Sequence, residues 1–131
     1  MSLKLLTEVL SNLLKKASTV EYPKQPPLAL QEHRGRHYPD LSKCIGCSLC
    51  ALECPTNAIA MKSLPAKVKH NPRGMYPVVE YGKCVFCYRC VDVCPVKAYI
   101  TTNYFENASD TLITSNELSL ETLPKTENLK T

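Results

Sequence analysis

Apolar positions follow different rules in different parts of the chain. In residues 2–17, Leu3, Leu6, Val9, Leu10, Leu13, Leu14 and Ala17 recur at the 3, 4 and 7 spacing of one helix face, and Leu5 widens the stripe. Lys4, Glu8, Ser11, Asn12 and Lys15 take the other face. The pattern predicts an amphipathic helix. Residues 20–40 begin Val20-Glu21-Tyr22-Pro23-Lys24-Gln25-Pro26-Pro27, an extended stretch that proline bars from helix. Ala58–Met61, Val78–Tyr81 and Ala98–Thr102 are apolar or β-prone and bounded by Pro, Gly or Asn, so they read as strands. Between the first two, residues 63–77 hold Pro65, Pro72, Gly74 and Pro77 and read as an inserted loop. Beyond Asn103 the apolar residues Leu112, Ile113, Leu118, Leu120 and Leu123 scatter, which predicts a short turn or helix near 115–121 and a loose end. The segments are then a helix over 1–18, an extended arm over 19–39, a core over 40–104 and an extension over 105–131.

The core is duplicated. Cys44, Cys47, Cys50 and Cys54 form a C-x2-C-x2-C-x3-C run followed by Pro55, and Cys84, Cys87, Cys90 and Cys94 form a second run followed by Pro95. Each cysteine of the second run stands 40 residues after its counterpart. Asp40-Leu41-Ser42-Lys43 matches Glu80-Tyr81-Gly82-Lys83, and Thr56-Asn57-Ala58-Ile59 matches Val96-Lys97-Ala98-Tyr99. Such a repeat denotes two copies of one supersecondary unit.

The spacing has a chemical reading. Three thiolates close together wrap one corner of an iron–sulfur cubane if the backbone turns around it, with its N–H groups aimed at the sulfurs. The fourth cysteine is expected on a short helix that faces away and reaches the other cluster, the exchange characteristic of the bacterial ferredoxin run. Cluster one would take Cys44, Cys47, Cys50 and Cys94; cluster two would take Cys84, Cys87, Cys90 and Cys54. Pro55 and Pro95 would stop the short helices.

Composition narrows the alternatives. The 131 residues carry eight cysteines, a net charge of +4, 21% charged and 44% hydrophobic residues, an ordinary ordered chain whose mild basicity demands no nucleic acid. No apolar run is long enough to span a bilayer, and no secretory signal is legible, which places the chain in the cytoplasm. Disulfides are rare there, so metal is the first explanation for eight cysteines. Structural zinc usually takes two cysteine pairs far apart rather than four cysteines in one short run, so a zinc-binding interaction module is the weaker metal reading. Five acids against two lysines leave residues 105–131 at −3 and the remainder at +7.

Within the runs, Gly46 lets the backbone approach a sulfide, whereas its counterpart Phe86 shields the cluster from water. Phe86 and Tyr88 also read as ordinary packing. Lys62, Lys67, Lys69 and Arg73 read as a solvated face. Arg34-Gly35-Arg36-His37 is a basic loop in an arm expected to lie across a neighbour. His33, His37 and His70 stand in loops with no nucleophile beside them, so no catalytic residue is expected on this chain.

Taken together, the amphipathic helix, Tyr22-Pro23 and Pro26-Pro27, Arg34-Gly35-Arg36-His37, Lys43-Cys44-Ile45-Gly46-Cys47, Lys83-Cys84-Val85-Phe86-Cys87 and Asn103-Tyr104-Phe105-Glu106 with Ala108 resemble the two-cluster ferredoxin-like subunit of respiratory complex I and of the related membrane-bound energy-converting hydrogenases. The resemblance implies an α+β, two-[4Fe–4S] ferredoxin-like core with a pseudo-twofold repeat, extended N- and C-terminal arms and an N-terminal helix on the membrane surface. It implies a peripheral subunit at the cytoplasmic face of an ion-pumping complex. Such a subunit relays single electrons to a catalytic hydrogenase-like or quinone-site-like subunit, beside a membrane-embedded partner. The acceptor would be a quinone, a proton or a sulfur compound. The alternatives are a free two-cluster ferredoxin, which is usually short and acidic, and a δ-type ferredoxin subunit of a 2-oxoacid oxidoreductase.

Overall fold

The computed structural model describes residues 3–25, 32–65 and 68–122; Pro26, Pro27, Lys67 and Leu123 of the sequence reading lie outside them. Helix α1 (Leu3–Leu14) leads to strand β1 (His37–Pro39), then α2 (Leu49–Leu52), β2 (Ile59–Ser63), β3 (Met75–Val79), α3 (Arg89–Asp92), β4 (Tyr99–Thr101) and α4 (Asn116–Glu121). The architecture is a small mixture of helix and strand.

Two antiparallel ribbons organise the core. β1 pairs with β4, setting His37 against Thr101 and Pro39 against Tyr99. β2 pairs with β3, setting Met61 against Pro77 and Ile59 against Val79. A shift of 40 residues turns one register into the other. The ribbon ends repeat too: Asp40 N–H donates to the Ala98 carbonyl at 2.6 Å, and Glu80 N–H to that of Ala58 at 2.8 Å.

The interior forms two apolar clusters, one built on Leu41, Tyr76, Val78 and Ala98, the other on Ile59, Val79 and Tyr81. Cysteines enter both: Cys44 in the first, Cys50 and Cys90 in the second. Leu41 and Tyr81 occupy equivalent places in the repeat. Burying such side chains contributes roughly 1.5–3 kcal/mol each, so the core that stabilises the chain is also the wall around the thiols.

Residues 34–39 of the arm dock on the chain's own core. Thr102 N–H donates to the Arg36 carbonyl at 3.0 Å, Arg36 N–H to that of Tyr104 at 2.9 Å, and Gly35 N–H to that of Thr102 at 3.1 Å. A Cβ at Gly35 would stand 2.5 Å from the carbonyl oxygens of Thr102 and Tyr104, so only glycine allows this approach. At the other end α4 forms where expected and packs inward. Ser115 Oγ accepts from the Val79 N–H at 2.9 Å, Tyr76 donates to Asn116 Oδ1 at 2.7 Å, and Leu41 N–H donates to Thr122 Oγ1 at 2.7 Å. Ser115 and Ser119 are buried. Residues 113–122 are therefore part of the core that the segment boundary at 105 excludes.

Residues 63–77 are not simply a loop. β3 starts at Met75 and carries Pro77 within it, because each strand of a two-stranded ribbon has a free edge where the missing N–H costs nothing. α1 has its predicted phase but buries no residue; Leu3, Leu6, Leu13 and Leu14 are all more than 65% exposed. Among the described residues no helix is long and apolar enough to cross a membrane.

Candidate metal centre

The loop that carries each cysteine run has to curl, and left-handed residues make it do so. Gly46 (φ 65°), Ser48 (67°) and Asn57 (51°) in the first run match Phe86 (51°), Tyr88 (63°) and Lys97 (47°) in the second. Phe86 and Tyr88 are poor residues for this region, which costs about 1–2 kcal/mol for a side chain with a Cβ. Aromatic contacts hold them there. Phe86 stacks on Tyr81 with centroids 6.2 Å apart, and the Tyr88 hydroxyl donates to the Gly35 carbonyl at 2.9 Å. Gly46 lines the first cavity, as cluster approach requires, and carries a second constraint. A Cβ there would lie 2.6 Å from Asn71 Oδ1 and 2.7 Å from the Met75 carbonyl oxygen, so the 63–77 segment requires this glycine.

The expectation that the fourth cysteine sits on a short helix is corrected. α2 and α3 end at Leu52 and Asp92, and Cys54 and Cys94 follow them. Both sulfurs accept a backbone N–H at 3.3 Å, from Ala58 and Ala98 respectively. Pro55 and Pro95 thus follow helices that have already ended.

The runs enclose two cavities. The first is lined by Cys44, Cys47, Cys50 and Cys94, with Pro39, Met61, Pro77 and Tyr99 among its walls. The second is lined by Cys84, Cys87, Cys90 and Cys54, with His37, Ile59, Tyr88 and Arg89 among its walls. Each receives three cysteines from one run and the fourth from the other. The eight thiols form no disulfide.

Their electrostatics favour a cationic group. Burial pushes the Cys44, Cys50 and Cys84 thiols up, and neighbouring thiolates add to it. Burial, with Cys84 and Cys50 alongside, pushes Cys90 up to about 12. Cys54 moves down: burial opposes its ionisation, but N–H donors from Ala58 and Thr56 outweigh that. Four thiolates around one apolar cavity repel each other and lose their water. Iron would supply the missing charge, and binding it would release the thiol protons. The donor set therefore fits an iron–sulfur cluster, and these cysteines would hold it.

An arginine closes each loop at equivalent places: Arg34 donates to the Cys87 carbonyl at 3.1 Å and Arg73 to that of Cys47 at 3.4 Å. Arg36 hydrogen-bonds Asn107 Oδ1 and the Glu106 carbonyl and lies 4.5 Å from the Tyr104 ring centroid. The basic loop and Arg73 are thus built into the fold rather than merely solvated, while Lys62 and Lys69 remain exposed. His37 is no loop residue: it is buried in β1 and lines the second cavity. A legible signal existed, because the 40-residue shift aligns His37 with Pro77. His70 caps the Leu41 carbonyl at 2.9 Å, and His33 is exposed.

Comparison with known proteins agrees with this chemistry. The 4Fe–4S dicluster domain family matches residues 43–98. NADH-quinone oxidoreductase subunit I 2 of Geobacter metallireducens is 32% identical over 104 residues, covering 76% of this chain and 79% of the relative. The chain belongs to the subunit I family of NADH-quinone oxidoreductases. Its cofactors are two [4Fe–4S] clusters. NAD(P)H-quinone oxidoreductase subunit I of Gloeobacter violaceus is 29% identical over 99 residues, and this chain covers 47% of its length. Among solved structures, a chain of the membrane-bound sulfane sulfur reductase, an archaeal respiratory membrane complex, aligns with TM-score 0.57 and 35% identity. That alignment covers 80% of this chain and 53% of the other. The chain thus spans about half the length of these last two relatives.

Proposed function

We propose that this chain is the electron-relay subunit of a membrane-bound, ion-pumping oxidoreductase complex. It passes single electrons through two [4Fe–4S] clusters to the catalytic subunit at the junction with the membrane arm. Cys44, Cys47, Cys50 and Cys94 hold one cluster, and Cys84, Cys87, Cys90 and Cys54 hold the other, in a core with pseudo-twofold symmetry. The observation that carries this reading is the crossed lining of the two cavities, three cysteines from one run and one from the other. The bound clusters supply one-electron redox chemistry. The chain supplies thiolates, N–H donors and an apolar wall that keeps water away, and it makes or breaks no substrate bond.

The exposed leucine face of α1 supports assembly. A helix this amphipathic, with none of the described residues burying its apolar side, suits a membrane surface or a membrane-embedded subunit. The proposed placement is peripheral, on the cytoplasmic face, beside a hydrogenase-like or quinone-site-like subunit. The terminal acceptor is a quinone, a proton or a sulfur compound. The relatives' names, a quinone oxidoreductase subunit and a respiratory sulfane sulfur reductase, support the quinone and the sulfur compound.

Anaerobic isolation through a tag on this chain tests the reading. Recovery with membranes, with about eight irons per chain and with co-purifying catalytic and membrane subunits is expected. Recovery alone from the soluble fraction, with the same iron, would leave a mobile ferredoxin. Recovery with a thiamine enzyme would make it a δ-type subunit of a 2-oxoacid oxidoreductase.

A further inference from the structure

His37 is 1% exposed, and neither Nδ1 nor Nε2 has a hydrogen-bond partner among the described residues. Every protonation state of imidazole carries at least one N–H, so at least one donor is left without an acceptor whichever tautomer is present. Buried donors in native proteins are rarely abandoned in this way.

Among the described residues the Gly35 carbonyl lies close to the ring but does not reach hydrogen-bond geometry with it. Four aromatic rings surround it, Tyr88 nearest with centroids 5.0 Å apart, and Tyr81, Phe86 and Tyr88 meet it edge to face. The hydroxyls of Tyr81 and Tyr88 are already committed, to the carbonyls of His37 and Gly35 at 2.9 Å each. His37 also forms part of the wall of the cavity lined by Cys54, Cys84, Cys87 and Cys90. The sulfurs of an iron–sulfur cluster there are acceptors.

The first cavity has no histidine at this place; the buried hydroxyl in its wall, without a hydrogen-bond partner among the described residues, is that of Tyr99. The register that pairs His37 with Thr101 pairs Pro77 with Met61 in the other ribbon. Pro77 lines the first cavity and has no N–H to give. By contrast, the backbone turns and the arginine at each loop are matched between the halves.

We propose that His37 donates a ring N–H hydrogen bond to the cluster held by Cys84, Cys87, Cys90 and Cys54, and so raises the reduction potential of that cluster alone. The inference rests on the cluster assignment proposed above. A hydrogen bond to a cluster sulfur stabilises the more negative, reduced state, so its removal lowers the potential.

The test uses the full chain loaded anaerobically, labelled with ¹⁵N-histidine, as wild type, His37→Phe and His37→Gln. Iron content is measured first, then both midpoints by EPR-monitored potentiometry and nitrogen coupling by pulsed EPR of the reduced clusters. Wild type is expected to show histidine coupling on one cluster signal. His37→Phe should abolish that coupling and lower that midpoint only, and His37→Gln, which keeps an N–H donor, should restore part of the shift. Absence of histidine coupling in the wild type would overturn the inference, and this measurement depends on no variant folding. So would unmoved midpoints, or an equal shift of both, in a His37→Phe chain that retains its iron. A wild-type chain that fails to bind two clusters would instead sink the cluster assignment itself.

Discussion

The two cysteine loops share a backbone and differ in what closes over them. The first is roofed by the chain itself: Asn71 and the Met75 carbonyl press on Gly46, and Arg73 reaches the Cys47 carbonyl. The second is packed from within by aromatic rings, with Phe86 on Tyr81 and His37 among them, and by the arm that brings Arg34 to the Cys87 carbonyl. The same left-handed turn is therefore held in two ways. In the first half a glycine accepts a close backbone neighbour. In the second, side-chain packing compels Phe86 and Tyr88 into a conformation they disfavour. The duplicated spacing fixes where the thiols go; the unduplicated residues set how each site is walled.

Gly46→Ala should be the most damaging single change. It adds a Cβ 2.6–2.7 Å from Asn71 Oδ1 and the Met75 carbonyl at a positive φ. A loss of about 3 kcal/mol or more is expected, with the first cluster lost before the second; denaturant unfolding and iron analysis would show it. Phe86→Gly, at the matching position, removes backbone strain but also the ring stacked on Tyr81, so its cost should come from packing and fall on the second cluster. If both variants damaged the same cluster, the contrast between roof and packing would fail.

Gly35→Ala tests the arm. Its Cβ would meet the Thr102 and Tyr104 carbonyls at 2.5 Å, so β1 should lift from β4 at a cost of about 2–3 kcal/mol. Hydrogen exchange should then speed up at Arg36 and Thr102, whose N–H groups bridge this pairing. An arm that mainly crosses a neighbour would show no such change in the isolated chain.

Tyr81→Phe removes the buried hydroxyl that donates to the His37 carbonyl at 2.9 Å but keeps the ring under Phe86. The expected loss is about 1–2 kcal/mol, read as a shift in the denaturation midpoint. The smallest effect should come from Glu53→Ala. It breaks an exposed ion pair with Arg89 at 2.9 Å, worth at most about 1 kcal/mol and screened by salt.

Much of this architecture was legible before any coordinates. The exact 40-residue offset located both cysteine loops, the stripe of leucines located α1, and the scattered apolar residues near 115–121 located α4. What escaped were features set by contacts distant in sequence. His37–Pro39 is too short and too proline-rich to alternate as a strand, and its pairing partner lies some 60 residues on. Pro77 made a strand look like a loop, because the sequence does not reveal that the ribbon has only two strands. Gly46 reads as a place of cluster approach and does line the first cavity, but its further neighbours Asn71 and Met75 lie too far along the chain to be read. His37 looked like part of a basic loop because the residues that bury it, Tyr81, Phe86, Tyr88 and Tyr99, lie more than 40 positions away. The 40-residue shift that sets His37 opposite Pro77 was the one available clue.

The crossed ligand sets are the central claim, and paired cysteine variants test it most directly. EPR spectra of the reduced full chain would be compared for Cys44→Ser, Cys94→Ser and Cys84→Ser. The account predicts that Cys94→Ser loses or alters the same cluster signal as Cys44→Ser, although Cys94 belongs to the run of Cys84, and leaves the signal affected by Cys84→Ser in place. If Cys94→Ser instead altered the signal that Cys84→Ser removes and spared that of Cys44→Ser, each run would hold its own cluster and the crossed arrangement would be wrong.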